Sequence, residues 1–330
     1  MALLLKEADL KRVLAMRELI PAMRDALIHF SRGDVVQPVR HTLKIEPAGG
    51  YYSTMPAYLR DEWNGGGGGG ALGMKSVTFF PGNAGGPHPT HLATVLLLDA
   101  GTGALVALLD GRFITEMRTA AVTAVSVDLL ARSNATRLAI LGSGIQARSH
   151  LEAVALVRPL SSVVVWSREA AHADRFVRAA SGLVACPVRS AATVRDAMRG
   201  AEIVVAVTAA RDPITDAAWL EPGMHLCAVG SSAPDMRELD AATVAKSRVF
   251  VDSRASAEVE AGDLILARRE GWSGHIVAEL GEVAAGAAGR RSDDEITLFK
   301  SLGLAVEDVA TARLAVARAR AQGVGTELVL

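Results

Sequence analysis

Gly142-Ser143-Gly144-Ile145-Gln146-Ala147 has the spacing G-x-G-x-x-A, a pattern that carries weight only in the right context. Here it follows an apolar run, 137–141, and opens an amphipathic stretch, 145–157. In that setting the first glycine permits a tight turn, the second lets the backbone approach a pyrophosphate, and Ala147 allows close helix packing. Backbone N–H groups at the helix start then face the phosphates. The tip of the next strand selects the dinucleotide. It reads Trp166-Ser167-Arg168-Glu169, with a hydroxyl and a guanidinium where an NAD-selecting strand ends in a carboxylate. That pair suits a ribose 2′-phosphate, so the expected cofactor is NADPH, with NADH left open by Glu169.

Three cations outside this motif stand out: Arg40 in "QPVR", Lys75 in "GMKSV" and Arg118 in "EMRTAAV". Lys75 sits in an otherwise apolar run, and small residues follow Arg118. A cation in such surroundings is costly unless an internal acid or a bound anion satisfies it. In a chain that binds a dinucleotide, the three together favour a substrate that carries a carboxylate. His88 and His91 lie three apart in a proline-broken stretch, and no nearby Asp, Glu or Cys completes a metal set. No metal is expected, and His91 is read as facing the cofactor.

The elements that must hold these residues fall into two patterns. Residues 7–32 have helical spacing with Gly33 as a stop. From 35 to 110 short β-type runs follow (39–45, 51–59, 73–80, 93–100 and 104–110), which predict an antiparallel or mixed sheet. The stretch "NGGGGGG" (64–70) between two of them reads as a flexible surface loop. Residues 112–132 predict a helix. Strands at 137–144, 161–168, 182–188, 202–209, 224–231 and 248–253 then interleave with helices at 145–157, 169–180 and 190–201. Apolar strands alternating with amphipathic helices predict a parallel sheet covered on both faces. A last long helix is predicted from about 296 to 323, returning to the first region.

Composition sets outer limits. The formal net charge is -1 and half the residues are hydrophobic, which gives ample core and no basic field for nucleic acid or an anionic membrane. No uncharged apolar run is long enough to span a bilayer, and the N-terminus lacks the pattern of a signal peptide. Cys186 and Cys227 fit no metal spacing and predict reduced thiols. The expected location is cytoplasmic.

A long ordered set of stretches resembles the ornithine cyclodeaminase/μ-crystallin family, and within it the μ-crystallin-like ketimine reductases more closely. The set comprises "QPVR" (37–40), "MPAY" (55–58), "KSVTFF" (75–80), "HLATVLL" (91–97) and "LDGRFITEMRTAAV" (109–122). It continues with "ILGSGIQA" (140–147), "AVGSSAPDMRELD" (228–240), "VDS" (251–253), "AELGEV" (278–283) and "FKSLGLAVED" (299–308). The resemblance implies an α/β fold with a Rossmann-type parallel sheet domain at 119–305. A discontinuous α+β domain for substrate and dimerisation would comprise 1–118 with 306–330. It implies a homodimer in which Arg40, Lys75 and Arg118 hold the substrate carboxylate and act in catalysis. Thr90, His91, Arg118 and Lys300 would line the cofactor, Thr208 and Val229 would pass under its nicotinamide or ribose, and Glu260 would border the pocket. Cyclodeaminases carry an aspartate where this chain has Ser232, and a serine has no pKa for base catalysis near neutrality. The expected activity is therefore reduction of a cyclic ketimine carboxylate to a cyclic L-imino acid. Alternatives are an amino-acid dehydrogenase or N-alkylating imine reductase acting on a 2-oxo acid and an amine, a cyclodeaminase-type lyase, and a non-catalytic NADP-dependent binding protein.

Overall fold

The computed structural model describes residues 1–60 and 70–329. The glycine run read as a surface loop therefore lies, apart from Gly70, outside the described residues. The chain divides into two compact units, Met1–Arg118 with Gly303–Leu330, and Thr119–Leu302. It passes from the first to the second within the helix Gly111–Leu130.

The first unit is built on a mixed sheet. Its described strands run in the order Thr326–Leu328, Ala2–Leu5, Leu105–Asp110, His91–Leu98, Ala71–Phe79, Gly50–Leu59 and Val35–Val36, with His41–Ile45 also pairing to Gly50–Leu59. Only the pairing of Ala2–Leu5 with Leu105–Asp110 is parallel. Side chains alternate between faces along each strand, and one face carries Met55, Ala57, Leu59, Ala71, Val95 and Leu97, all buried. The helix Ala305–Gln322 packs on the strands Gly50–Leu59, Ala71–Phe79 and His91–Leu98 and on the helix Met16–Arg32. Met16–Arg32 ends at Gly33, whose left-handed φ of 83° lets its N–H reach the carbonyls of His29 and Phe30. In the register of the sheet Lys75 lies opposite Met55 and Val95, so its side chain belongs to the buried face.

The second unit is a parallel sheet of eight described strands. The order is Val188–Ser190, Ser162–Trp166, Arg137–Leu141, Ile203–Ala206, His225–Ala228, Thr297–Lys300, Arg248–Val251 and Ile276–Glu279. Every pairing in it is parallel. Most of its strands are continuous apolar runs, as a sheet buried on both faces requires. Strand order reverses between Arg137–Leu141 and Ile203–Ala206, the switch point at which open α/β sheets bind ligands beyond the carboxyl ends of their strands.

Three sequence expectations are corrected. The last helix begins at Ala305 and not near 296, because Thr297–Lys300 is a fully buried strand between His225–Ala228 and Arg248–Val251. Gly303, at φ 84°, then separates strand from helix. The strand expected at 182–188 is reduced to Val188–Ser190, since Pro187 has no N–H to donate and offers only its carbonyl to Val163. The helix expected at 190–201 spans only Val194–Met198, capped by the Thr193 hydroxyl.

Candidate active site

The glycine turn lies at the switch point of the second unit. Strand Arg137–Leu141 leads into Gly142, and Gly144 caps the helix Ile145–Val157. Gly142 has φ 118°, and a Cβ on it would lie 2.8 Å from the Val207 carbonyl oxygen, so the fold itself demands glycine there. Gly144 differs: a Cβ there would meet no protein atom within 4 Å. Glycine at 144 is not needed for packing, and the open backbone leaves room for a group that approaches the helix N-terminus closely. Ala147 is fully buried, as the close approach of the helix to the sheet requires.

A cavity of about 600 Å³ opens over this turn. Gly142, Ser143, Gly144 and Ile145 form one wall, and Ser167 and Arg168 lie at another. Ser143 Oγ donates to Ser167 Oγ at 3.0 Å. Arg148, His172 and Arg175, none singled out from the sequence, line the same cavity. Glu169 also borders it and stands 3.5 Å from His172 Nε2. Gln146 is on the helix behind the turn and is not among the lining residues. The volume, the glycine cradle and the surrounding cations fit a dinucleotide.

Beneath the cavity the ends of neighbouring strands are tied by buried charges. Thr208 lines the cavity, and Val229 is half-buried just past the end of His225–Ala228. Lys300 is fully buried at the end of its strand. Its Nζ lies 3.0 Å from Asp263 Oδ2 and donates to the carbonyls of Ala228 (3.3 Å) and Ser231, so it does not line the cavity. Asp263 and Glu238 are buried with it and were not found from the sequence. Nothing in the local pattern around "RELD" marks Glu238 as internal. Ser232 is exposed, and Asp235 is held by Arg211 at 2.9 Å. Glu260 ends the helix Arg254–Glu260 and is buried.

In the first unit Lys75 and Arg118 meet two acids. Lys75 Nζ is 2.7 Å from Asp308 Oδ2. Arg118 donates from Nε to Asp308 Oδ1 at 3.0 Å and from Nη1 to Glu307 Oε2 at 2.7 Å. All four side chains are at most 5% exposed. Burial, and then the charge of Arg118, lower the Lys75 pKa to about 8, while Asp308 acts in the opposite sense. Arg40 also acts on Lys75. Burial opposes the charge of Arg118, but Asp308 and Glu307 outweigh it and hold its pKa above the ordinary value. His91 begins its strand in the same neighbourhood, and burial with the charges of Lys75 and Arg118 lowers its pKa to about 4. It is a neutral imidazole at neutral pH. Thr90 is half-buried, and its carbonyl oxygen accepts a hydrogen bond from the Phe80 N–H at 2.7 Å.

Thus internal acids satisfy two of the three cations, and a bound anion is not needed to balance Lys75 and Arg118. The sequence holds a usable signal for those acids. In Ala305–Ala312 the residues on every side of Glu307-Asp308 are apolar or small, which leaves no polar face to carry both.

Mouse ketimine reductase mu-crystallin is 40% identical over 299 residues, covering 90% of both chains. The structure of the Thermococcus litoralis Δ1-pyrroline-2-carboxylate reductase, in complex with NADH and L-proline, superposes with a TM-score of 0.94 at 38% identity, over 99% of this chain and 100% of that one. An archaeal alanine dehydrogenase dimer with bound NAD gives a TM-score of 0.92 at 30% identity, over 100% of this chain and 99% of that one. A model of the ornithine cyclodeaminase/mu-crystallin family matches residues 2–323, and the chain belongs to that family.

Proposed function

We propose that this chain is an NADPH-dependent reductase of cyclic ketimine carboxylates, of the Δ1-piperideine-2-carboxylate and Δ1-pyrroline-2-carboxylate type, giving cyclic L-imino acids. It is an oxidoreductase of the NAD(P)-dependent, imine-reducing kind. The observation that carries this reading is the buried cluster of Lys75 and Arg118 with Asp308 and Glu307, in a chain whose other unit has a dinucleotide cradle. When bound, the reduced nicotinamide supplies a hydride to the C=N carbon. The protein's part is to bind, orient and manage one proton.

Arg40, with Lys75 or Arg118, holds the substrate carboxylate by hydrogen bonds and fixes the ring, while Asp308 and Glu307 balance the two buried cations. Lys75, with a pKa near 8, is mostly protonated at neutral pH and gives a proton or a hydrogen bond to the ring nitrogen. Asp308 keeps that proton on Lys75. His91, neutral, adds no further positive charge to repel an iminium. One hydride on carbon and one proton on nitrogen convert C=N to CH–NH, and the balance closes. Ser232 cannot act as a base, and Asp235 is engaged by Arg211, which weighs against cyclodeamination. Preference for NADPH is supported by Ser167 and Arg168, with Arg148 and Arg175 in the same cavity.

The proposal includes a homodimer, supported by the exposed strand His41–Ile45 with Leu43 and Ile45 at its surface. It also includes a cytoplasmic location, in keeping with the free thiols Cys186 and Cys227. The test is to mix purified protein with Δ1-piperideine-2-carboxylate near pH 6 and follow loss of reduced nicotinamide, with NADPH and NADH in parallel. Arg40→Ala serves as control, and pyruvate with methylamine as the competing substrate pair. Fast NADPH loss on the cyclic imine, abolished in the variant, is expected. Turnover only with pyruvate and amine would reassign the chain as an amino-acid dehydrogenase or N-alkylating reductase.

A further inference from the structure

The neighbouring parallel strands Ile203–Ala206 and His225–Ala228 end side by side. Beyond the ladder, the N–H groups of Thr208 and Gly230 converge on one side chain. Glu238 Oε1 accepts from the Thr208 N–H at 2.6 Å and from the Thr208 hydroxyl at 2.8 Å, and Oε2 accepts from the Gly230 N–H at 2.8 Å. The two segments are so close that a Cβ on Gly230 would lie 1.9 Å from the Thr208 carbonyl oxygen. Glu238 is itself fixed: Asp263 Oδ1 accepts from the N–H groups of Glu238 (2.7 Å) and Leu239 (2.9 Å). Lys300, on a third strand, completes the chain of contacts through Asp263 and the carbonyls of Ala228 and Ser231.

We propose that Glu238 is a positioning residue that holds the floor of the dinucleotide site by tying the Thr208 and Gly230 backbones together. The inference rests on the reading that the cavity over Gly142 takes the dinucleotide. Thr208 reaches that cavity, whereas Glu238 does not line it and is fully buried, so it acts through Thr208 and not by contact. The charged groups facing it are Asp263 and Lys300. Burial, and then Asp263, raise its pKa to about 7, with Lys300 and the Thr208 hydrogen bonds opposing. Both oxygens face N–H or O–H donors, so a proton placed on either one disrupts a contact. The floor is tight above neutral pH and loosens below it.

The experiment is a fluorescence titration of NADH and NADPH binding between about pH 6 and pH 8.5. It compares the wild-type chain with Glu238→Gln and Asp263→Asn, each checked for fold by circular dichroism. The wild-type Kd is expected to rise about tenfold from pH 8 to pH 6, as one protonation near 7 requires. Glu238→Gln should bind about tenfold more weakly at pH 8, with most of that slope gone. His172 and Glu169, which border the cavity, are unchanged in every variant. Asp263→Asn keeps an acceptor for the Glu238 and Leu239 N–H groups but removes a like charge, so it should move the midpoint toward acid. A folded Glu238→Gln protein with wild-type Kd and slope overturns the inference alone. An unmoved midpoint in Asp263→Asn overturns it even if Glu238→Gln fails to fold. A wild-type chain that binds neither dinucleotide at any pH overturns the cofactor reading, and this inference with it.

Discussion

Asp308→Asn changes one charge and almost no volume, at the point where the chemistry of Lys75 is set. The carboxylate lies 2.7 Å from Lys75 Nζ, and both groups are buried. At an effective dielectric near 20, one such pair is worth about 6 kcal/mol of gross Coulomb energy, most of it offset by desolvation and relaxation. Measured neighbours of this kind move a pKa by about 1–3 pH units, or about 1.4–4 kcal/mol. Lys75 starts from about 8 and loses the acid that raises it, so its pKa falls to neutrality or below. At pH 7 its protonated fraction then drops from about nine-tenths to between about a half and a hundredth, by the same shift. If protonated Lys75 serves the imine nitrogen, kcat/KM for the ketimine at pH 7 falls roughly 2- to 100-fold. The alkaline limb of the profile moves toward acid, and activity returns toward the wild-type level near pH 5. The assay is kcat/KM over about pH 5 to 9 at saturating NADPH. A variant profile that lies on the wild-type curve, or below it by one constant factor at every pH, would refute the role given to Asp308.

Four further perturbations test packing, binding and proton linkage. Gly142→Ala forces a Cβ into a left-handed backbone 2.8 Å from the Val207 carbonyl, so it should lower the melting temperature by several degrees. Gly144→Ala meets no protein atom within 4 Å and should leave stability within about 0.5 kcal/mol while still weakening dinucleotide binding. Equal stability losses in the two variants would count against this distinction. Arg168→Ala should cut the NADPH-over-NADH preference by about 10- to 100-fold with little effect on NADH, read from the two kcat/KM values. His225, fully buried and donating to or accepting from Thr297 Oγ1 at 2.9 Å, has its pKa lowered by burial to about 3 from 6.5. The unfolded chain takes up this proton below pH 6.5 and the folded one does not, so stability is lost as pH falls. Between pH 7 and pH 5 that loss is about 2 kcal/mol, to be read from urea unfolding midpoints. His225→Gln should flatten this part of the slope, and an unchanged slope would sink the assignment.

What the sequence determined by itself is local. The Gly142–Ala147 turn, its preceding strand and the helix Ile145–Val157 follow from glycine stereochemistry and from periodicities of two and 3.6, which act over a few residues. The same holds for the alternation that makes the second sheet parallel. The sequence also marked Lys75 and Arg118 as cations in need of partners. Which partners they have is a tertiary matter. Arg118 and Asp308 are 190 residues apart in the chain and meet only because the helix Ala305–Gln322 covers the face of the sheet that carries Lys75. Thr297–Lys300 reads as the start of the amphipathic stretch that follows it. It is a strand because a slot between two parallel strands accepts a short, fully buried run whatever its propensity. Glu238 gives no local sign of its place. Its carboxylate is internal because it accepts from the N–H groups of Thr208 and Gly230 at two adjacent strand ends, and only the folded arrangement of those ends brings these donors together.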